Sequence, residues 1–250
     1  HDGSETVGDG FTCTVSDGAG GSIGATAFNI TVTAVNDAPT AADDPAYTVA
    51  EDNVLVVPAA TGVLANDADA DGPALSTVLV SGPANGVLVL NPDGSFTYAP
   101  NADFFGTDSF TYRASDGTLQ SGVATVTISV TGVNDAPVNT VPGPQAASED
   151  VPLGIPGVSV ADADGGMTTV ALSVGSGTLG VSLVGGATIT GGANGSAALT
   201  LTGTIAQVNA ALASLTYTGA SNWNGGTTLT MTSDPGGFAV TSNVAINVAA

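Results

Sequence analysis

The chain contains no lysine and only one arginine, Arg113, against 22 acidic residues among its 250, for a formal charge of −21. That balance excludes recognition of a nucleic-acid backbone, which needs a basic face to displace counterions. It also opposes attachment to an anionic membrane surface. Without lysine no internal Lys–Asn isopeptide crosslink can form. Cysteine is as scarce: Cys13 stands alone, so no intrachain disulfide is available. It occupies the place that Tyr112 holds later in the chain (Phe-Thr-Cys against Phe-Thr-Tyr), which suits a small apolar strand residue. No run is long and apolar enough to cross a bilayer as a helix, which excludes that mode of membrane insertion.

What the chain has in abundance is aspartate. The acids are 19 Asp and 3 Glu, the latter Glu5, Glu51 and Glu149. Acidity meant only for solubility would draw freely on Glu, whereas Asp favours turns and compact cation sites. A halophilic surface is the rival explanation. It calls for acids scattered over strand faces, while most of these sit in turns flanked by Gly or Pro.

The acids recur with a period. Val-Asn-Asp-Ala-Pro occurs at Val35–Pro39 and again at Val133–Pro137, 98 residues later. Glu51-Asp52 returns as Glu149-Asp150 at the same offset, and Ser16-Asp17-Gly18 returns as Ser115-Asp116-Gly117 after 99 residues. A period near 100 residues means tandem small domains rather than one large enzyme domain. It divides the chain into residues 1–38, the tail of a truncated repeat, residues 39–136, a complete repeat, and residues 137–250, a longer third repeat. We expect the chain to be an excerpt of a longer polypeptide, since it opens on His1 in mid-repeat.

Short β-branched runs alternate with Gly, Asn, Asp and Pro clusters throughout. Val87–Leu90, the turn Asn91-Pro-Asp-Gly94 and Ser95–Tyr98 read as a hairpin. So do Phe110–Tyr112 with Ala124–Val130, Phe11–Val15 with Phe28–Val32, and Leu229–Thr232 with Val240–Val248. In Ala124–Val130 the residues Val126, Ile128 and Val130 alternate with Thr125, Thr127 and Ser129, the pattern of a strand with one face on a core and one in water. The fold class expected is all-β, as tandem antiparallel β-sandwiches. One segment differs. Thr204–Leu215 places Ile205, Val208, Leu212 and Leu215 at helical spacing, and Thr204 with Gln207 makes a capping box. One short helix near 204–215 is expected.

The second repeat resembles the bacterial cadherin-like modules often called tandem-95 repeats. The resemblance rests on Tyr47-Thr-Val-Ala-Glu-Asp52, Gly62-Val-Leu-Ala-Asn-Asp-Ala-Asp-Ala-Asp-Gly72, Asn85-Gly86, Asp93–Tyr98, Phe105–Tyr112, Ser115–Gly117 and Val133–Pro137. These cover nearly all of residues 39–137. The third repeat is similar to a cadherin-like variant of surface proteoglycan repeats, through Val208-Asn-Ala-Ala-Leu212, Leu215-Thr-Tyr217 and Asn222-Trp-Asn-Gly-Gly226. The resemblance implies cadherin- or Ig-like sandwiches strung as a stalk in a large secreted or surface-anchored bacterial adhesin.

Asp67-Ala-Asp-Ala-Asp-Gly72 is the best site candidate on residue chemistry alone. Carboxylates at i, i+2 and i+4 before a glycine can gather around Ca²⁺, a hard ion that takes six to eight oxygens. An EF-hand is excluded, because the bidentate acid it needs twelve positions in falls on Val78. The competing reading is a plain Asp-Gly turn. The resemblance adds a ligand set: linker Asn and Asp, an Asp-x-Asp loop and an Asp near the last hairpin from one domain, with a Glu from the domain before. Carried onto this chain, the first junction takes Asn36, Asp37, Asp69, Asp71 and Asp116. The second takes Glu51, Asn134, Asp135, Asp162, Asp164 and Asp234. The linkers lack the second Asn of animal cadherins, and Asp234 is followed by Pro235. A Pro-stiffened linker without metal is the alternative.

An enzyme finds little here. Gly20-Gly-Ser-Ile-Gly24 matches the Gly-x-Ser-x-Gly pattern, but it lies between two hairpin strands and the sole histidine is His1. The chain is therefore expected not to be an enzyme. Its expected role is a calcium-rigidified spacer and adhesive region, extracellular or on the bacterial surface. Its expected partners are neighbouring repeats and a surface protein or glycan. The alternatives are a carbohydrate- or protein-binding module, in which Trp223 could stack on a sugar, or an accessory region of a large secreted enzyme.

Overall fold

The computed structural model describes residues 9–30, 35–72, 74–234 and 236–250. The chain divides into two compact units, His1–Gly132 and Val133–Ala250. Unit 1 holds nine strands: β1 (Asp9–Ser16), β2 (Ser22–Ile30), β3 (Tyr47–Ala50), β4 (Leu55–Val57), β5 (Ser76–Ser81), β6 (Gly86–Leu90), β7 (Phe96–Pro100), β8 (Gly106–Ser115) and β9 (Ala124–Thr131). β1 and β2 form an antiparallel hairpin that sets Phe11 opposite Phe28, the two rings stacked at 5.1 Å. Of the expected strand Phe28–Val32, the part beyond Ile30 lies outside the described residues.

The remaining strands make a sandwich of a four-stranded sheet, β3-β9-β8-β5, and a three-stranded sheet, β4-β7-β6. The alternation read in β9 is the alternation observed: Val126, Ile128 and Val130 are buried, while Thr125, Thr127 and Ser129 are half-buried on the other face. They join Phe96, Tyr98, Phe110 and Tyr112 in one core drawn from both sheets. Phe96 anchors it, edge-on to Phe110 at 5.4 Å and to Tyr47 at 5.1 Å. The β6–β7 hairpin turns where Gly94 takes φ +84°, a conformation a side chain would strain, and its N–H donates to the Asn91 carbonyl at 3.0 Å.

Unit 2 repeats the plan with eleven strands and a helix. They are β10 (Val138–Thr140), β11 (Gln145–Ser148), β12 (Leu153–Gly154), β13 (Ser159–Ala161), β14 (Met167–Val174), β15 (Thr178–Gly180), β16 (Thr188–Gly192), β17 (Ala198–Thr204), α1 (Ile205–Leu212), β18 (Thr216–Thr218), β19 (Gly225–Asp234) and β20 (Val240–Ala249). A six-stranded sheet, β11-β20-β19-β14-β17-β16, packs over the three-stranded sheet β12-β18-β15, and β10 pairs with β13. The purely antiparallel expectation meets one exception in each unit. In each unit an early strand runs parallel to the last, β3 with β9 and β11 with β20.

The helix is where its sequence places it. Thr204 Oγ1 accepts from the Gln207 N–H at 3.3 Å, and Gln207 Oε1 accepts from the Thr204 N–H at 2.9 Å, so both ends of the capping box close. Val208, Ala211 and Leu212 are buried against the core, and Leu215 follows just beyond the helix.

Candidate metal centre

In unit 1 the acidic segment Asp67–Gly72 is held against the linker by a two-way backbone bridge. The Thr40 N–H donates to the Ala68 carbonyl at 2.8 Å, and the Ala68 N–H donates back to Thr40 at 3.0 Å. This lays Asn36 and Asp37 beside the loop. The Asp37 N–H donates to Asp71 Oδ2, and the Asp71 N–H donates to Asp69 Oδ1 at 2.8 Å. Asn36 Nδ2 donates to Asp116 Oδ2 at 2.7 Å, bringing in the β8–β9 turn. Asp116 Oδ1 in turn accepts from the Thr118 and Leu119 N–H groups at 2.6 and 2.7 Å. The Leu119 amide, then Asn36 and the Thr118 amide, hold the Asp116 carboxyl below the usual carboxylate range. The five residues expected at the first junction thus come together at one end of the sandwich. Asn36, Asp69, Asp71 and Asp116 line a cavity of about 190 Å³.

Unit 2 builds the same arrangement from its own residues. The Asp135 N–H donates to Asp164 Oδ2 at 2.6 Å, and the Asp164 N–H donates to Asp162 Oδ1 at 3.0 Å. Asn134 Nδ2 donates to the Asp135 carbonyl at 3.1 Å. Asp234 Oδ1 accepts from the Gly236 and Gly237 N–H groups at 3.0 and 2.6 Å, and these amides, Gly237 foremost, hold its carboxyl below the usual range. Glu51 belongs to unit 1, where its N–H donates to the Thr131 carbonyl at 2.9 Å beyond the end of β3; Asn134, Asp135, Asp162, Asp164 and Asp234 belong to unit 2.

Asp67 has a different position. Its Oδ1 accepts from the Ala42 N–H at 3.0 Å and its Oδ2 from the Tyr112 hydroxyl at 2.9 Å, so both oxygens are engaged inside the module. The three carboxylates of Asp67-Ala-Asp-Ala-Asp71 therefore split: Asp69 and Asp71 serve the linker, and Asp67 braces the loop on the core. Its carboxyl is raised, first by burial.

Sequence reading missed the rest of this brace. Asp44 faces Tyr112 and Tyr47 close to Asp67 and Asp43, and burial above all pushes its carboxyl up to about 7. Burial and the Asp44 charge push Tyr47 up to about 12. In unit 2 the corresponding support is Asn209 of α1, whose Oδ1 accepts from the Val160 N–H at 2.9 Å and whose Nδ2 donates to the Val160 carbonyl at 2.8 Å. No spacing rule links Asp44 to Asp67, or Asn209 to Val160.

The donor set suits a hard divalent cation. It offers carboxylates and amide oxygens with no nitrogen or sulfur ligand. Asp69 Oδ2 is buried without a hydrogen-bond partner, and so is Asp162 Oδ2, each an acceptor left with nothing to accept from. Among the described residues the protein supplies no cation to either loop. Lysine is absent, and the one arginine, Arg113, donates to the Ser121 carbonyl.

Residues 36–132 match the family model of the bacterial cadherin-like domain. No curated protein matches the chain in sequence. Among solved structures the chain resembles protocadherin gamma B2 extracellular cadherin domains 1–5, with a TM-score of 0.55 and 16% identity over 98% of this chain and 46% of that one. It also resembles the protocadherin gammaB4 extracellular domain (0.53, 16%, over 97% and 37%) and protocadherin gammaB7 EC3–6 in a cis-dimer structure (0.53, 18%, over 98% and 60%). The chain spans less than half the length of the first two of these, and at such identity the likeness is one of fold. Among the described residues no helix is long and apolar enough to cross a membrane.

Proposed function

We propose that this chain, whose residues 36–132 are a bacterial cadherin-like domain, is a calcium-stiffened spacer and adhesive region of a larger extracellular bacterial protein. The observation that carries the reading is the convergence of a linker Asn-Asp, an Asp-x-Asp loop and a hairpin Asp in unit 1, matched in unit 2 by a linker Asp joined to its own Asp-x-Asp loop. These residues are far apart in sequence, and among the described residues no protein cation sits among them. Asn36, Asp37, Asp69, Asp71 and Asp116 would hold Ca²⁺ in unit 1, and Asn134, Asp135, Asp162, Asp164 and Asp234 in unit 2. The bound ion supplies positive charge. The chain's own part is to fix the carboxylates in advance, through the amides that already hold Asp71, Asp116, Asp164 and Asp234. Without the ion, a net charge of −21 favours spreading of the linker away from the loop.

No catalytic step is assigned. Gly20–Gly24 runs from the β1–β2 turn into β2, and lacks the strand-turn-helix setting of a nucleophile elbow.

The test is a melt in EDTA against a calcium series, with magnesium as control. Extracellular calcium sites bind at about 10⁻⁴–10⁻³ M, so at millimolar calcium each should add about 0.4–1.4 kcal/mol. For domains of this size that is a rise of several degrees. Asp69→Ala with Asp71→Ala should remove the unit 1 share of calcium binding, read by calorimetry, and leave unit 2 binding intact. Full calcium binding by the double variant overturns the assignment.

A further inference from the structure

Away from its acidic loop, unit 2 carries a broad neutral face. Thr169, Ala171 and Ser173 of β14 and the residues of β17, β19 and β20 that alternate with the buried ones are Thr, Ser, Ala, Asn or Gly, and Asp234 is the one charge among them. Two hydroxyl pairs lie on that sheet. Thr190 Oγ1 meets Thr202 Oγ1 at 2.9 Å, and Thr232 Oγ1 meets Thr241 Oγ1 at 2.9 Å.

At one end the pattern changes. A groove of about 650 Å³ opens there, lined by Ser173, Thr228, Thr230 and Trp223, with Gly175 and Gly226 contributing no side chain. Trp223 is half-buried, packed against the core and exposed to the groove. Ser173 lies opposite Thr230 across β14–β19, and Thr230 lies opposite Asn243 across β19–β20, so three polar side chains form one row. Among the described residues the Ser173, Thr228 and Thr230 side chains have no hydrogen-bond partner, whereas Thr202, Thr232 and Thr241 are each paired. Beside the groove loop, where Gly177 abuts the Tyr217 ring, the Tyr217 hydroxyl is also buried without a partner.

We propose that this groove binds a neutral glycan. Sugar rings present an apolar C–H face and a rim of hydroxyls. The indole of Trp223 suits the first and the Ser173–Thr230–Asn243 row suits the second. Charge sets the class of sugar. With −21 on the chain, sulfated or uronic-acid polymers are repelled, whereas a neutral polyol meets a face without charge. The inference does not depend on calcium at the acidic loops.

Trp223 is the only tryptophan in the chain, so its fluorescence reports this site alone. The full chain is titrated with dextran, laminarin, galactomannan and xylan, and with dextran sulfate as the charged counterpart. Each titration is run in calcium and in EDTA, with acrylamide quenching and retardation in polysaccharide gels as second readouts. At least one neutral polymer should shift Trp223 emission, shield it from acrylamide and retard the chain, equally in calcium and EDTA. Thr228→Ala with Thr230→Ala, both away from the core, should weaken that binding about tenfold, as expected for two lost neutral hydrogen bonds, while leaving the melt unchanged. Failure of all four neutral polymers, preferred binding of dextran sulfate, or undiminished binding by the double variant overturns the proposal.

Discussion

Units 1 and 2 hold the same set of acids by different means. In unit 1 the loop rests on Asp67, hydrogen-bonded to the buried Tyr112 hydroxyl, with Asp44 and Tyr47 close by. In unit 2 the residue at the place of Asp67 is Val160, two before Asp162 as Asp67 is two before Asp69, and it is buried. There the strand is fixed through its backbone by Asn209 of α1. The candidate centre thus needs a rigid edge next to the Asp-x-Asp loop, and either a carboxylate–phenol pair or a helix-borne amide can provide it. The two solutions differ in one property: the first titrates and the second does not.

A second contrast follows the same line. In unit 1 the Asp108 carboxylate accepts from the Ala84, Asn85 and Ser109 N–H groups and from the Tyr98 hydroxyl, at 2.8–3.0 Å. Two residues after the corresponding glycine, Gly225 for Gly106, unit 2 has Thr227, which accepts only from the Ser176 N–H at 3.1 Å. The Tyr217 hydroxyl is left without a partner, next to the groove.

The contrast between the two supports can be broken at several points. The largest effect is expected from Leu212→Ala, which empties a fully buried site beneath α1 and should cost unit 2 about 2–5 kcal/mol. Trp223 fluorescence in urea should show the loss, and hydrogen exchange in unit 1 should not change. Asn209→Ala leaves the Val160 N–H and carbonyl without their partner and should cost unit 2 about 1–3 kcal/mol. It should also speed exchange in β13, which a merely local effect on the helix would not do. Thr204→Ala opens the capping box at a cost of about 1 kcal/mol, again confined to the Trp223-reported transition.

The remaining effect separates the two designs by chemistry. Asp44 in folded unit 1 is raised from 3.8 to about 7, so folding favours its protonated form. The stability it contributes is complete below the ordinary carboxylate value and is lost as pH rises through about 7. Asp108 and Asp116 shift the opposite way, so their share is present above 3.8 and lost only at lower pH. In EDTA, unit 1 should therefore weaken between about pH 4 and about pH 8. Urea unfolding followed by hydrogen exchange in unit 1 measures this. Asp44→Asn should flatten the unit 1 slope, and a slope that persists in that variant assigns it to another group.

The candidate site was legible where it depended on short motifs. Val-Asn-Asp-Ala-Pro, Asp-Ala-Asp and the hairpin Asp each identify themselves, and the structure gathers all three in unit 1 and joins the first two in unit 2. Strict periodicity would have missed the match. Counterparts lie 98 residues apart in the linker (Asn36 and Asn134), 93 in the acidic loop (Asp69 and Asp162) and 118 in the last hairpin (Asp116 and Asp234). Asp67 shows the limit of a local pattern. Its spacing equals that of Asp69 and Asp71, yet the bridge between Thr40 and Ala68 puts it beside Ala42 and Tyr112.

By itself the sequence determined the strands, the turns, the capped helix and the charge, because alternation, turn chemistry and capping act over a few residues. It also determined how little neutralising charge the chain can bring to the loops, because lysine is absent and arginine occurs once. Only the tertiary structure decided which acids face the linker and which face the core. It alone gave Asn209 and Tyr112 their roles as supports and set Ser173, Thr230 and Asn243 in one row. Those pairings are cross-strand registers and long-range hydrogen bonds, and they exist only once both sheets have closed on a shared core.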